Sequence, residues 1–85
     1  MPTLSMFFGI IIRMYYKEHM PPHFHAYYQE HEATFDFGGE LLEGDMPSKQ
    51  RKLIAAWALI HEDELEANWE LALHKDSLYK IEPLK

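Results

Sequence analysis

His23-Phe24-His25-Ala26-Tyr27-Tyr28-Gln29-Glu30-His31-Glu32-Ala33-Thr34-Phe35-Asp36-Phe37 is the stretch that decides the fold. Phe24, Ala26 and Tyr28 alternate with His23, His25, Tyr27 and Gln29. After a polar break near Glu30-His31, Ala33, Phe35 and Phe37 alternate with Glu32, Thr34 and Asp36. A period of two belongs to a strand with one buried face, and two such runs in succession predict an antiparallel hairpin. With a two-residue turn, Tyr28 is expected opposite Ala33, Ala26 opposite Phe35 and Phe24 opposite Phe37. A slip of one residue would turn every apolar side chain out of the core, so the pattern pins the parity of the pairing. The same register sets His25 across from Asp36 and Tyr27 across from Thr34.

Outward from this hairpin, Met6 to Tyr16 is β-branched and aromatic with apolar residues at both parities. It is expected to be one strand, buried on both faces for part of its length, with Gly9 marking a bulge or a close backbone approach. Lys17 to Pro22 should be a loop, because each proline lacks an N–H and drives the residue before it away from helix. Downstream, Gly38-Gly39 signals a turn into a short strand at Glu40 to Glu43. Asp45 or Ser48 then caps a helix, with Pro47 in its first turn. Trp57, His61, Leu65 and Trp69 recur four apart and form one apolar stripe. Glu62-Asp63-Glu64 suits the N-terminal end of a second helix through the helix dipole, which places a break near His61. Asp76-Ser77 should end the helical region, and Leu78 to Glu82 should return as a last strand. The expected architecture is α+β: a small antiparallel sheet of three to five strands, with one long kinked helix or two helices on one face.

Composition bounds what such a domain does. Residues 1–85 suffice for a single domain, with 47% hydrophobic and 14% aromatic residues to fill a core. No apolar run reaches the roughly 20 residues of a membrane span, and no signal peptide is read at the N-terminus. The absence of cysteine excludes disulfides, thiolate metal ligands and thiol nucleophiles, and is compatible with a cytoplasmic setting. A net charge of −6 argues against a broad phosphate-binding face. Lys49, Arg51 and Lys52 cluster, but three cations at a helix start read as a solvated face. Glycine-rich phosphate loops, Gly-x-Ser-x-Gly and His-Glu-x-x-His are missing.

The chemistry that remains sits on the strand histidines. His23 and His25 project from one face, roughly 7 Å apart at Cβ by strand geometry. With His19 they form a candidate divalent-metal set, which His31 or Asp36 would complete. No cofactor signature is present, so the first expectation is that none is bound. His25 oriented by Asp36 is a candidate general base, assisted by His23 and Tyr27, with Arg13 and Lys17 to steady a phosphate in RNA cleavage. The bland alternative is a set of histidines hydrogen-bonded within the sheet. Trp57 and Trp69 are expected in the core, as is His61 bonded to a carboxylate or carbonyl. The acidic helix face of Glu62, Asp63, Glu64, Glu66 and Glu70 reads as solvated or as a dock for a basic partner.

The chain also resembles a known family. Pro2 to Tyr16, Pro21 to Tyr28, Trp57 to Trp69 with His61, Glu64-Leu65 and Asn68, and the terminal Lys80 to Leu84 are similar to the bacterial domain-of-unknown-function family DUF4160. That resemblance implies a small protein partner, a neighbour similar to DUF2442 proteins, in a toxin–antitoxin-like pair. The lack of a basic DNA-reading helix favours the toxin-side slot. RNA enters only if the domain is an enzyme, and an exposed sheet edge is compatible with a homodimer.

Overall fold

The apolar residues at both parities between Met6 and Met14 come from a chain reversal. In the computed structural model, which describes residues 3–16 and 19–84, β1 (Thr3–Phe7) turns at Phe8-Gly9 into β2 (Ile10–Arg13). Phe8 and Gly9 take φ of 50° and 80°, the backbone that two-residue hairpins need at both central positions. Phe7 pairs with Ile10 across the turn, so the inward parity switches from odd to even residues. The expected single strand with a bulge is therefore corrected to a hairpin.

β3 (Phe24–Tyr28) and β4 (His31–Phe35) form the expected second hairpin, but in a different register. Phe24 pairs with Phe35, Ala26 with Ala33 and Tyr28 with His31. The turn closes at Gln29-Glu30, where Gln29 accepts a left-handed φ of 52°. The pairing is thus two residues away from the expected one. The inward set of Phe24, Ala26, Ala33 and Phe35 is unchanged, because a two-residue shift preserves parity.

β5 (Leu41–Gly44) completes an antiparallel sheet in sequential order, β1-β2-β3-β4-β5, among the described residues. Gly44 has φ 86° and lies so close to β4 that a Cβ there would stand 2.2 Å from the Glu32 carbonyl oxygen. Only glycine satisfies both constraints.

Two helices follow, α1 (Ser48–Ile60) and α2 (Glu62–Leu73), with the break at His61. Glu62, Asp63 and Glu64 occupy the first turn of α2, where their negative charge interacts favourably with the positive end of the helix dipole. The N-cap of α1 is Pro47 without a side-chain bond. The expected cap Asp45 instead accepts from His31 at 2.7 Å, and Ser48 is already helical. α2 ends at Leu73, before the expected Asp76.

Ile54, Trp57, Ala58, Leu65 and Trp69 pack with Ile10, Ile12, Phe24, Ala26 and Phe35 into one core, which places both helices on the same face of the sheet. Fully buried Trp57 organises it, stacking on Phe7 at 5.6 Å and meeting Phe24 edge-on at 5.5 Å. Residues 78–82, expected as a strand, form no strand but a strap along β1. Ile81 N–H donates to the Leu4 carbonyl at 2.8 Å, and Trp57 Nε1–H donates to the Glu82 carbonyl at 2.9 Å. Buried Asn68 donates to the Tyr79 carbonyl and accepts from its N–H, both at 3.0 Å. Side chains thus hold the strap where a ladder would otherwise have to form, and they shield the β1 edge. No helix among the described residues is long and apolar enough to cross a membrane.

Candidate functional site

The face of the sheet opposite the helices carries the alternate residues of the same strands. Ile11 pairs with Tyr27 and Tyr27 with Glu32; Arg13 pairs with His25, His25 with Thr34 and Thr34 with Glu43. No helix covers these residues, and they remain half-buried or exposed. β2 is the source of Arg13 because the Phe8-Gly9 turn sets even residues inward and odd residues outward. Tyr15, two residues on and of the same parity, folds over this face just past the strand end.

A contiguous group forms there. The Arg13 guanidinium lies 5.5 Å above the centroid of the Tyr27 ring, within cation–π range. Tyr27 and Tyr15 share a hydroxyl–hydroxyl hydrogen bond of 2.5 Å, and the Tyr15 ring meets the His25 ring edge-on at 4.6 Å. His25 then packs on His23 at 5.3 Å, and His23 on His19 at 5.2 Å. His23 is buried and also touches Trp69 of α2 at 5.5 Å, so it joins this group to the core. Its Nδ1–H donates to the Pro21 carbonyl at 2.8 Å. A carbonyl only accepts, so this bond fixes the tautomer and leaves Nε2 as the basic nitrogen of the neutral ring. A cleft of about 310 Å³ opens beside the histidines, between His19, Pro21, His23 and His25 on one side and Thr34, Leu42 and Glu43 on the other.

The Tyr27 phenol is pushed well above its ordinary range. Burial is the largest cause, followed by the hydrogen bond and the charge of Tyr15 and by Glu32; Arg13 acts in the opposite sense. Tyr27 therefore stands as a neutral hydrogen-bonding group at any physiological pH.

The structure brings together some of the residues singled out in the sequence and separates others. His19, His23, His25 and Tyr27 belong to one group. Asp36 does not join it, because the observed register sets Thr34 opposite His25. The Asp36 carboxylate instead accepts from the N–H groups of Gly38 at 3.0 Å and Glu40 at 2.9 Å, holding the turn before β5. The His25–Asp36 dyad expected from the two-residue turn is thus absent. His31 is likewise taken up by Asp45, at the far end of β4. The rings of His19, His23 and His25 pack in a row at tilts of 42° and 59°, and among the described residues no three His, Asp or Glu are placed to hold a metal ion. Lys17 lies outside the described residues.

His61 Nδ1–H donates to Glu64 at 2.5 Å, and its ring packs on Trp57 at the helix break. Trp57 and Trp69 are core residues, as the stripe implied. Tyr15 was missed. Its signal is the outward parity of Ile11, Arg13 and Tyr15, which becomes visible only once Phe8-Gly9 is read as a hairpin turn.

These features define a small α+β domain whose sheet is covered by helices on one face and carries an Arg–Tyr–His group on the other. The chain belongs to the family described as domain of unknown function (DUF4160), whose model matches residues 9–70. That match holds β2 through most of α2, including every member of the Arg–Tyr–His group, and leaves out β1 and the strap. No curated protein and no solved structure matches the chain.

Proposed function

We propose that this domain is a protein-interaction module, the toxin-side component of a toxin–antitoxin-like pair, that holds a small protein partner against the helix-free face of its sheet. The observation that carries the reading is the contiguous group of Arg13, Tyr15, Tyr27 and His25 on a face that no helix covers. Tyrosine and arginine are the residues that protein interfaces concentrate at their centres. Two hydroxyls bonded to each other and an aromatic-stacked guanidinium also present a stiff surface, which lowers the entropy cost of docking. The net charge of −6 speaks against nucleic acid as the main ligand. The partner suggested by the family resemblance is a neighbouring DUF2442-like protein.

Co-expression of the two chains, followed by size-exclusion chromatography, tests the reading. Wild type is expected to co-elute with the neighbour and Tyr27→Ala to release it, while Glu66→Ala on exposed α2 retains it. Separate elution of the two wild-type chains would remove the reading. Total RNA profiled during expression of the domain alone supplies the contrast: cleavage abolished by His25→Ala would replace binding with catalysis.

A further inference from the structure

Phe8 and Gln50 occupy positions where the fold itself has little use for them. Phe8 is the first residue of the turn between β1 and β2 and holds φ at 50°. Two-residue turns of this hand favour asparagine, aspartate or glycine there, and a bulky side chain at positive φ is disfavoured. Burial does not offset that cost, because Phe8 stays 59% exposed. Gln50 is the third residue of α1, the position from which a glutamine reaches back to the N–H of the capping residue. That residue is Pro47, which has no N–H to give. Gln50 is nonetheless only 8% exposed, and its side-chain amide makes no hydrogen bond among the described residues.

The two residues meet at one cavity. About 440 Å³ opens between Phe8, Tyr28 at the end of β3, and Lys49, Gln50 and Leu53 of α1. Tyr28 and Leu53 pack against the core, so the cavity lies on the helix side of the sheet, apart from the Arg–Tyr–His group. No polar side-chain atom of Gln50 is sealed from water, so the amide is reached from this space. The Tyr28 ring lies against the bare backbone of Gly9, where a Cβ would stand 3.4 Å from it. The cavity thus has two aromatic walls and an aliphatic one, with one primary amide among them. Exposed Lys49 stands on its rim and carries no ion pair among the described residues.

We propose that this cavity binds a nucleoside monophosphate with an adenine-type base. Aromatic walls stack on flat rings, which selects a base over an aliphatic chain. A glutamine amide carries an acceptor and a donor side by side. It pairs in both directions with the edge of adenine, where an amino donor sits beside a ring acceptor. Lys49 supplies a point charge for one phosphate, and the net charge of −6 disfavours a longer phosphate chain. The volume is that of a small-ligand site. The site is separate from the bare face of the sheet, so it stands or falls independently of the interaction reading.

Nitrogen–proton NMR of the side-chain amides tests the site while AMP, adenosine or ribose 5-phosphate is added to the whole chain. Asn68, whose amide is bonded to Tyr79, serves as the internal control. The Gln50 signal is expected to move saturably with AMP and to stay still with ribose 5-phosphate, while Asn68 shows no change with either. Adenosine should bind about five-fold more weakly than AMP, the scale of an exposed charge pair, and Lys49→Ala should bring AMP down to the level of adenosine. A Gln50 signal unmoved by AMP, or moved equally by ribose 5-phosphate, overturns the proposal.

Two variants separate binding from folding. Phe8→Asn suits the turn and removes one wall, so the denaturation midpoint is expected to hold or rise while AMP binding weakens at least about ten-fold. Gln50→Leu keeps the bulk of the side chain and removes the amide, and should likewise weaken AMP at least about ten-fold. Circular dichroism checks that each variant is folded. AMP binding undiminished in either folded variant would overturn the site.

Discussion

The two faces of this sheet are built from the same strands and differ in almost everything else. Ile10, Ile12, Phe24, Ala26, Ala33 and Phe35 turn towards the helices and are buried, whereas Ile11, Arg13, His25, Tyr27, Glu32 and Thr34 turn the other way. The covered face removes apolar area from water and so supplies most of the stability. The bare face keeps its hydrogen-bonding groups oriented but makes few contacts whose loss would unfold the chain. Neighbouring residues, one peptide bond apart, thus serve the core on one side and, on the function proposed above, recognition on the other. Substitution on one face should cost stability, and on the other it should cost binding.

The largest expected effect breaks the covered face. Trp57→Ala deletes a fully buried ring, its stack on Phe7 and the anchor to Glu82. It should cost about 4 kcal/mol, which chemical denaturation monitored by circular dichroism would measure. Survival of a near wild-type midpoint would mean that the helix layer contributes little.

Asn68→Ala is expected to cost about 2 kcal/mol, because it strands the N–H and carbonyl of Tyr79. Hydrogen exchange should localise the change: amides of residues 78–82 lose protection before those of β3. Uniform loss over the whole chain would contradict the view of the strap as a separate, side-chain-held segment.

On the bare face, Tyr27→Phe is expected to change stability by less than about 1 kcal/mol at neutral pH, and its effect should grow in alkali. The folded phenol titrates above its unfolded range, so its contribution is fully present below about pH 10 and is lost as pH rises towards the folded value. Wild type should therefore lose stability above about pH 10 more steeply than Tyr27→Phe. Parallel profiles would show that burial and Tyr15 do not hold the Tyr27 proton in solution.

The fold was largely legible because its signals are periodic. The alternation through β3 and β4 gave the hairpin and its inward set, and the stripe of Trp57, Leu65 and Trp69 gave the helix layer. The site was legible only in part. His25 and Tyr27 share a side because parity puts them there, while His23, just before β3, packs on His25 and also reaches Trp69 of α2. Asp36 was assigned to them from a register that the turn did not adopt, and its carboxylate holds the Gly38-Gly39 bend instead.

The sequence by itself determined which residues of β3 and β4 turn inward, since a one-residue slip would invert both faces and expose the core. It also pointed, through the acidic run Glu62-Asp63-Glu64, to a break or kink near His61, while leaving one kinked helix or two open until the structure separated α1 from α2. Tertiary structure decided the rest. A two-residue slip preserves every apolar position, so the choice between Thr34 and Asp36 opposite His25 fell to the turn at Gln29 and to how Phe24 and Phe35 stack at 5.8 Å. The strap was decided in the same way: nothing periodic marks residues 78–82, and their place along β1 follows from hydrogen bonds offered by Trp57 and Asn68, residues distant in sequence. Local pattern fixes faces, while register and docking depend on contacts between segments that a pattern does not encode.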